Sequence, residues 1–223
     1  MSETDSFIEE VTEEVRRDRL FALFRRYGWI AVVLILAVVG GAAYNEYTKA
    51  QARAEAEALG DGLLAALQAN DAQARVANLS GVTATTPGGN AVVEFLLAAA
   101  QAEAGEVSAA VASLEGIATN GELPEIYREI AAFKALTLQS ATLPAADRRA
   151  GFEALARPGK PLRMLAEEQL AMIDMAEGQT EAAIERFQTI LKDAEVTPDL
   201  QQRAAQAIVA LGGKPELRTP SQG

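Results

Sequence analysis

The sequence predicts an all-α protein, with a single N-terminal transmembrane helix followed by an α-solenoid of about four helix pairs. Three observations carry this reading. Tyr27 to Asn45 is a run of 19 residues without a formal charge. Beyond it the chain is rich in Ala and Leu, and its apolar residues recur at helical rather than alternating spacing. Turn residues then return at intervals in the mid-thirties.

The apolar run, within "RRYGWIAVVLILAVVGGAAYNEY", comes first. A bilayer core about 30 Å thick takes roughly 20 residues of helix. Val32 to Val39 is apolar on every face, whereas a soluble helix normally keeps a polar one. Tyr27, Trp29 and Tyr44 sit near the two ends, where amphipathic rings favour the headgroup level. A cleavable signal peptide is the rival, with Gly41-Ala42-Ala43 as a cleavage point. Against it, 28 residues carrying seven acids precede Trp29, where a short basic region is expected. An uncleaved signal anchor at 27–45 is the preferred reading. Arg16, Arg17, Arg19, Arg25 and Arg26 precede the run, and only Lys49 and Arg53 follow closely. The positive-inside rule then puts residues 1–26 in the cytoplasm and the rest outside, which for a bacterial inner membrane is the periplasm.

From Glu46 onward 15 Lys and Arg face 24 Asp and Glu, a net charge of −9. That balance argues against nucleic acid or anionic lipid as a ligand. The chain contains neither Cys nor His. Disulfides, the common zinc sites, the Ser-His-Asp triad and the Cys-His pair are thereby excluded. Gly88-Gly89 after Pro87 has no following Lys and reads as a flexible turn, not a phosphate loop. No cofactor or metal is implied.

The elements follow in order. Residues 6–26 read as a helix with a capping box at Ser6 and Glu9, which lies on the inner leaflet, docks to a partner or, in the favoured reading, simply continues the anchor. Lys49 to Ala69 is one helix and Gln73 to Leu79 its short partner. "GVTATTPGGN" is the clearest loop, and Asn90 reads as the N-cap of a helix to Ala104. Val107, Val111, Leu114 and Ile117 make the next apolar stripe. Pro124 and Pro144 each open a helix at its first position. Leu162 to Glu177 and a helix bearing Ala183, Phe187 and Leu191 form another pair, and Thr197 caps a last helix ending at Gly212-Gly213. Residues 46–213 thus make one helical domain, and 214–223, "KPELRTPSQG", are expected to be a disordered tail.

Asn70, Gly105 and Gly178 mark the turns, at intervals of 35 and 73, with a further break near Ala141-Thr142. Two helices per unit at this period resemble tetratricopeptide repeats. "LAEEQLAMIDMAEGQTEAAIERFQTIL" places Leu170, Ala171, Gly178, Ala183 and Phe187 on that pattern. "NAVVEFLLAAAQAEAGEVSAAVASLEGI" places Leu97, Ala98, Gly105, Ala110 and Leu114 at the same offsets. The departures are Glu94 and Glu167 at an aromatic position, and Gln101 and Asp174 where Tyr is usual. With the acidic N-terminal stretch, one span and an Ala-rich array, the chain resembles the ancillary subunit family of the SecYEG translocon. "PAADRRAGFEALARPGKPLRMLAEEQLA" and "AAQAIVALGG" are similar to that family's later units.

That resemblance implies a non-enzymatic inner-membrane scaffold whose periplasmic repeats hold protein. The expected partners are translocon subunits, periplasmic chaperones or emerging secretory chains. Analogy with the repeat puts Phe95, Arg128, Glu168 and Met172 on a groove lined by the first helix of each unit. The plain alternative leaves Phe95 and Met172 as core and the two charges solvated. Ala37 and Gly41 form a small-xxx-small pair that suits packing against another span, and a homo-oligomer is left open. Two rival functions remain: a scaffold for division or cell-wall synthesis, and an enzyme working with paired carboxylates.

Overall fold

The computed structural model describes the backbone of residues 3–216 and the side chains of 25–30 and 32–216. Among the described residues the chain is helical with no strand. Its helices are α1 (Glu3–Leu67), α2 (Ala72–Leu79), α3 (Pro87–Glu103), α4 (Val107–Thr119), α5 (Glu125–Leu138), α6 (Ala145–Leu155), α7 (Arg163–Ala176), α8 (Thr180–Lys192) and α9 (Pro198–Ala210). A 3-10 turn, Gln139–Ala141, follows α5. The chain divides into two compact units, Met1–Glu57 and Ala58–Gly223.

In the first unit, α1 contains a stretch long and apolar enough to cross a membrane. Every side chain from Val32 to Val39 is exposed. The 19 uncharged residues, at about 1.5 Å each, span about 28 Å of helix. The Arg26 guanidinium lies 5.7 Å from the centre of the Tyr27 ring, a cation–π contact at the start of the run. Helix α1 begins at Glu3, so Ser6 lies inside the helix and not at its cap. The partners of the Ser6 and Glu9 side chains lie outside the described residues. Residues 6–26 therefore belong to the same helix as the apolar run.

The second unit has no single centre. Its core is four successive clusters, each joining three helices that follow one another in sequence. Leu63 and Ala66 at the end of α1 meet Leu79 of α2 and Val93 and Ala100 of α3. Ala91 and Ala98 of α3 meet Leu114 and Ile117 of α4 and Ala131 and Ala135 of α5. Phe152 and Leu155 of α6 meet Ala166, Leu170 and Ile173 of α7, with Phe133 and Leu136 of α5 packed against them. Ala171 of α7, Phe187 and Leu191 of α8, and Leu200, Ala204 and Ile208 of α9 make the fourth. A pair such as α7–α8 buries one face within itself and needs its neighbours for the rest. The many alanines let helices approach closely. At Gly151 a Cβ would stand 2.7 Å from Leu136 Cδ1, so α5 and α6 touch there over a bare backbone.

Turn chemistry explains the joints. Gly105 and Gly178 adopt φ of 81° and 75°, a region that costs other residues about 1–2 kcal/mol. At each, the next amide donates back five residues, Glu106 to the Gln101 carbonyl at 2.8 Å and Gln179 to the Asp174 carbonyl at 2.9 Å. This is the Schellman stop, and the same bond recurs from Gly213 to Ile208.

Four local expectations are corrected. Helix α3 starts at Pro87, not after Asn90. Thr86 is its N-cap, accepting from the Gly89 amide at 3.1 Å, and Pro87 occupies the first turn where its missing N–H costs nothing. Gly88-Gly89 is therefore helical rather than a flexible turn, and Asn90 instead accepts from the Ala84 amide at 3.2 Å. Pro124 and Pro144 sit one place earlier than expected, as extended N-cap residues with ψ of 146° and 145°. The start of the tail is held. Gln188 donates to the Glu216 carbonyl at 2.7 Å, and Lys192 pairs with the Glu216 carboxylate at 2.8 Å. Residues 217–223 lie outside the described residues.

Candidate protein-binding site

The second unit distributes its exposed large apolar side chains unevenly. Leu64 and Leu67 lie on α1, Val92 on α3, Ile126 on α5, Leu165, Met172 and Met175 on α7, and Val209 on α9. Among the described residues none lies on α2, α4, α6 or α8. Leu165, Met172 and Met175 stand at i, i+7 and i+10, so they form one stripe along α7. Methionine there offers a deformable apolar contact that adapts to different shapes.

The four residues expected in a groove meet different surroundings. Met172 is 44% exposed in the α7 stripe. Glu168, one turn before it, is covered, because Arg203 of α9 grips both carboxylate oxygens at 2.7 and 2.8 Å. Hydrogen bonding to Glu168 raises the Arg203 guanidinium above its ordinary value. Arg128 is half-buried on α5. Phe95 is also half-buried, packed on the α3–α4–α5 cluster with its ring 6.5 Å from that of Tyr127. It lines a cavity of about 320 Å³ that also includes Ala98, Leu114, Phe133, Lys134 and Leu138, but none of the other three. In the first unit, Ala37 and Gly41 are exposed, and a Cβ at Gly41 meets nothing within 4 Å.

Charged groups stitch neighbouring elements together. Asp174, 2% exposed, accepts from Arg149 of α6 at 2.7 Å and from Arg186 of α8 at 3.0 Å. The outer nitrogens reach on, Arg149 to Glu177 and Arg186 to Glu167, each at 2.8 Å. Burial pushes the Asp174 carboxyl up, but the hydrogen bonds from Arg149 and Arg186 outweigh it and hold the group below its ordinary value. An acid kept ionised and fully occupied is a structural strut rather than a proton donor. A second strut is Lys160, in the loop before α7, which binds Glu129 of α5 at 2.7 Å and also Glu125. Arg163 joins α7 to Asp193 and Glu195 beyond α8. The Glu125–Lys160 and Glu168–Arg203 pairs each span 35 residues, matching the interval between the Asn70 and Gly105 turns.

Sequence reasoning missed the Asp174 strut. Its signal was an acid one turn after Leu170 on the inward stripe of α7.

Fold and site together define an all-helical protein with one N-terminal helix long and apolar enough to span a membrane. Comparison with protein-family models, curated proteins and solved structures found no match.

Proposed function

We propose that this chain is a non-enzymatic, membrane-anchored scaffold, with its anchor at 27–45 and a tetratricopeptide-like array in the periplasm. The array holds protein segments and assists secretion, or handover to chaperones, at the Sec translocon. The observation that carries the binding role is that, among the described residues, exposed large apolar side chains are confined to α1, α3, α5, α7 and α9. In a stack of helix pairs these first helices share one face, so the residues make a common surface for a client. The translocon assignment rests on the sequence resemblance. Tethering gives a weak surface a high effective concentration beside the membrane, so modest affinity suffices.

A photoreactive amino acid at Met172, activated in living cells, tests this reading. Translocon subunits or periplasmic chaperones are the expected crosslinks. Capture of neither removes the translocon assignment, and the absence of any protein crosslink removes the scaffold.

A further inference from the structure

Four residues of α3, Phe95, Ala98, Ala99 and Ala102, fall at i, i+3, i+4 and i+7 and so share one helical face. One aromatic followed by three alanines leaves a hollow, and the 320 Å³ cavity lies against that face. Phe133, Lys134, Thr137 and Leu138 of α5 form the opposite wall, and Leu114 of α4 completes the lining. Ala99, Lys134 and Thr137 are exposed, so the hollow opens to solvent. Its volume sits at the lower end of the roughly 300–1,000 Å³ typical of ligand sites.

The polar groups at its mouth are unequal. The Thr137 hydroxyl is committed, donating to the Phe133 carbonyl at 2.8 Å. Lys134 is in no ion pair among the described residues, whereas Arg75, Lys160, Arg163 and Arg203 each pair with an acid of a neighbouring element. Its ammonium group keeps three donors for a partner. Charge complementarity then selects a carboxylate, and the walls select an apolar group beside it.

We propose that this cavity is a client subsite, which takes one large apolar side chain of a bound protein segment while Lys134 holds an adjacent carboxylate. The inference rests on the scaffold reading above and gives it a sequence preference. The surrounding domain carries a net charge of −9 from Glu46 onward, so it repels strongly acidic chains. The fitting segment has a single acid next to a leucine or phenylalanine. A space this small and this open encloses a side chain rather than a long acyl chain.

The test uses the full chain in nanodiscs and a short fluorescent peptide of Ser, Asn and Ala bearing one Leu-Asp pair. Anisotropy is expected to show binding that weakens about tenfold or more when the peptide Asp becomes Asn or its Leu becomes Ala. Lys134→Glu and Ala99→Leu weaken it similarly, and both positions are exposed, so unchanged thermal melts are expected. Lys134→Glu should also reverse the preference, binding a Leu-Lys peptide better than Leu-Asp. Equal affinity of the wild-type and Lys134→Glu chains for Leu-Asp overturns the proposal. So does displacement of the peptide by palmitate, which would make the site a lipid site. Crosslinking at Met172 that both variants leave unchanged overturns this subsite while the scaffold stands. A wild-type chain that crosslinks to no protein takes the scaffold down first.

Discussion

Asp174→Asn is the sharpest probe of what holds the second unit together. The change keeps shape and removes one negative charge that is 2% exposed and shared by two guanidinium groups. Hydrogen bonds to charged groups contribute about 1.5–3 kcal/mol each, and two are weakened here, at 2.7 and 3.0 Å. The lower end applies, because Arg149 and Arg186 are 24% and 31% exposed and keep Glu177 and Glu167 as partners. The expected loss is about 3 kcal/mol. For a domain of this size that lowers the melting temperature by about 6–12 °C. Circular dichroism of the full chain in detergent reads the shift. The pH dependence follows from the sign of the Asp174 perturbation. Its carboxyl lies below the ordinary value in the folded state. The stabilisation is therefore fully present above the unfolded value of about 4 and disappears as pH falls through the folded one. The gap between wild type and variant should hold at neutral pH and close in acid below about pH 4. Melts within 2 °C of each other at pH 7, or a gap that persists undiminished in strong acid, would refute the strut.

Other changes separate backbone from side-chain effects. Gly178→Ala places a Cβ at a φ of 75° and should cost about 1–2 kcal/mol, whereas Gly116→Ala, in open space inside α4, should stabilise by about 0.5–1 kcal/mol. Chemical denaturation gives both signs in one series. Lys160→Ala strips the partner from Glu129, whose Oε2 is already buried without a hydrogen bond, and should lower the melting temperature. Adding Glu129→Gln should recover part of that loss by removing the stranded charge. The chain has no cysteine, so Glu122→Cys supplies a unique thiol at an exposed position. A membrane-impermeant maleimide should label it in cells whose outer membrane alone is permeabilised. Labelling only after full lysis contradicts the proposed topology.

Much of the fold was legible because its signals are local. The uncharged run, the helical spacing of Val107, Val111, Leu114 and Ile117, and the stops at Gly105 and Gly178 are written in short stretches of chain. The errors were also local, and they came from competition between good residues. Asn90 is a fair N-cap, but Thr86-Pro87 upstream is better, since it combines a capping hydroxyl with a proline preset for the first turn. Gly88-Gly89 is then drawn into the helix. There the lack of a side chain is needed, because a Cβ at Gly89 would stand 2.8 Å from Ala84 Cβ.

The site was harder to read, since it depends on which residues neighbouring helices bring together. Glu168 and Met172 are one turn apart on α7 and look equivalent from sequence. Arg203, 35 residues later, covers the first and leaves the second bare. Phe95 was read from sequence as either groove or core, and the packing leaves it half-buried. Its ring rests against the α3–α4–α5 cluster while its edge lines a hollow made by Ala98, Ala99 and Ala102. These alanines are thus what creates the space. The acids that depart from the pattern have a similar logic. Where a tyrosine would fill the joint between α6, α7 and α8 by bulk, Asp174 fills it by drawing in two arginines. A joint made by bulk tolerates acid, whereas one made by charge does not. The strut therefore makes the packing of α6, α7 and α8 sensitive to low pH in a way that an aromatic joint would not be.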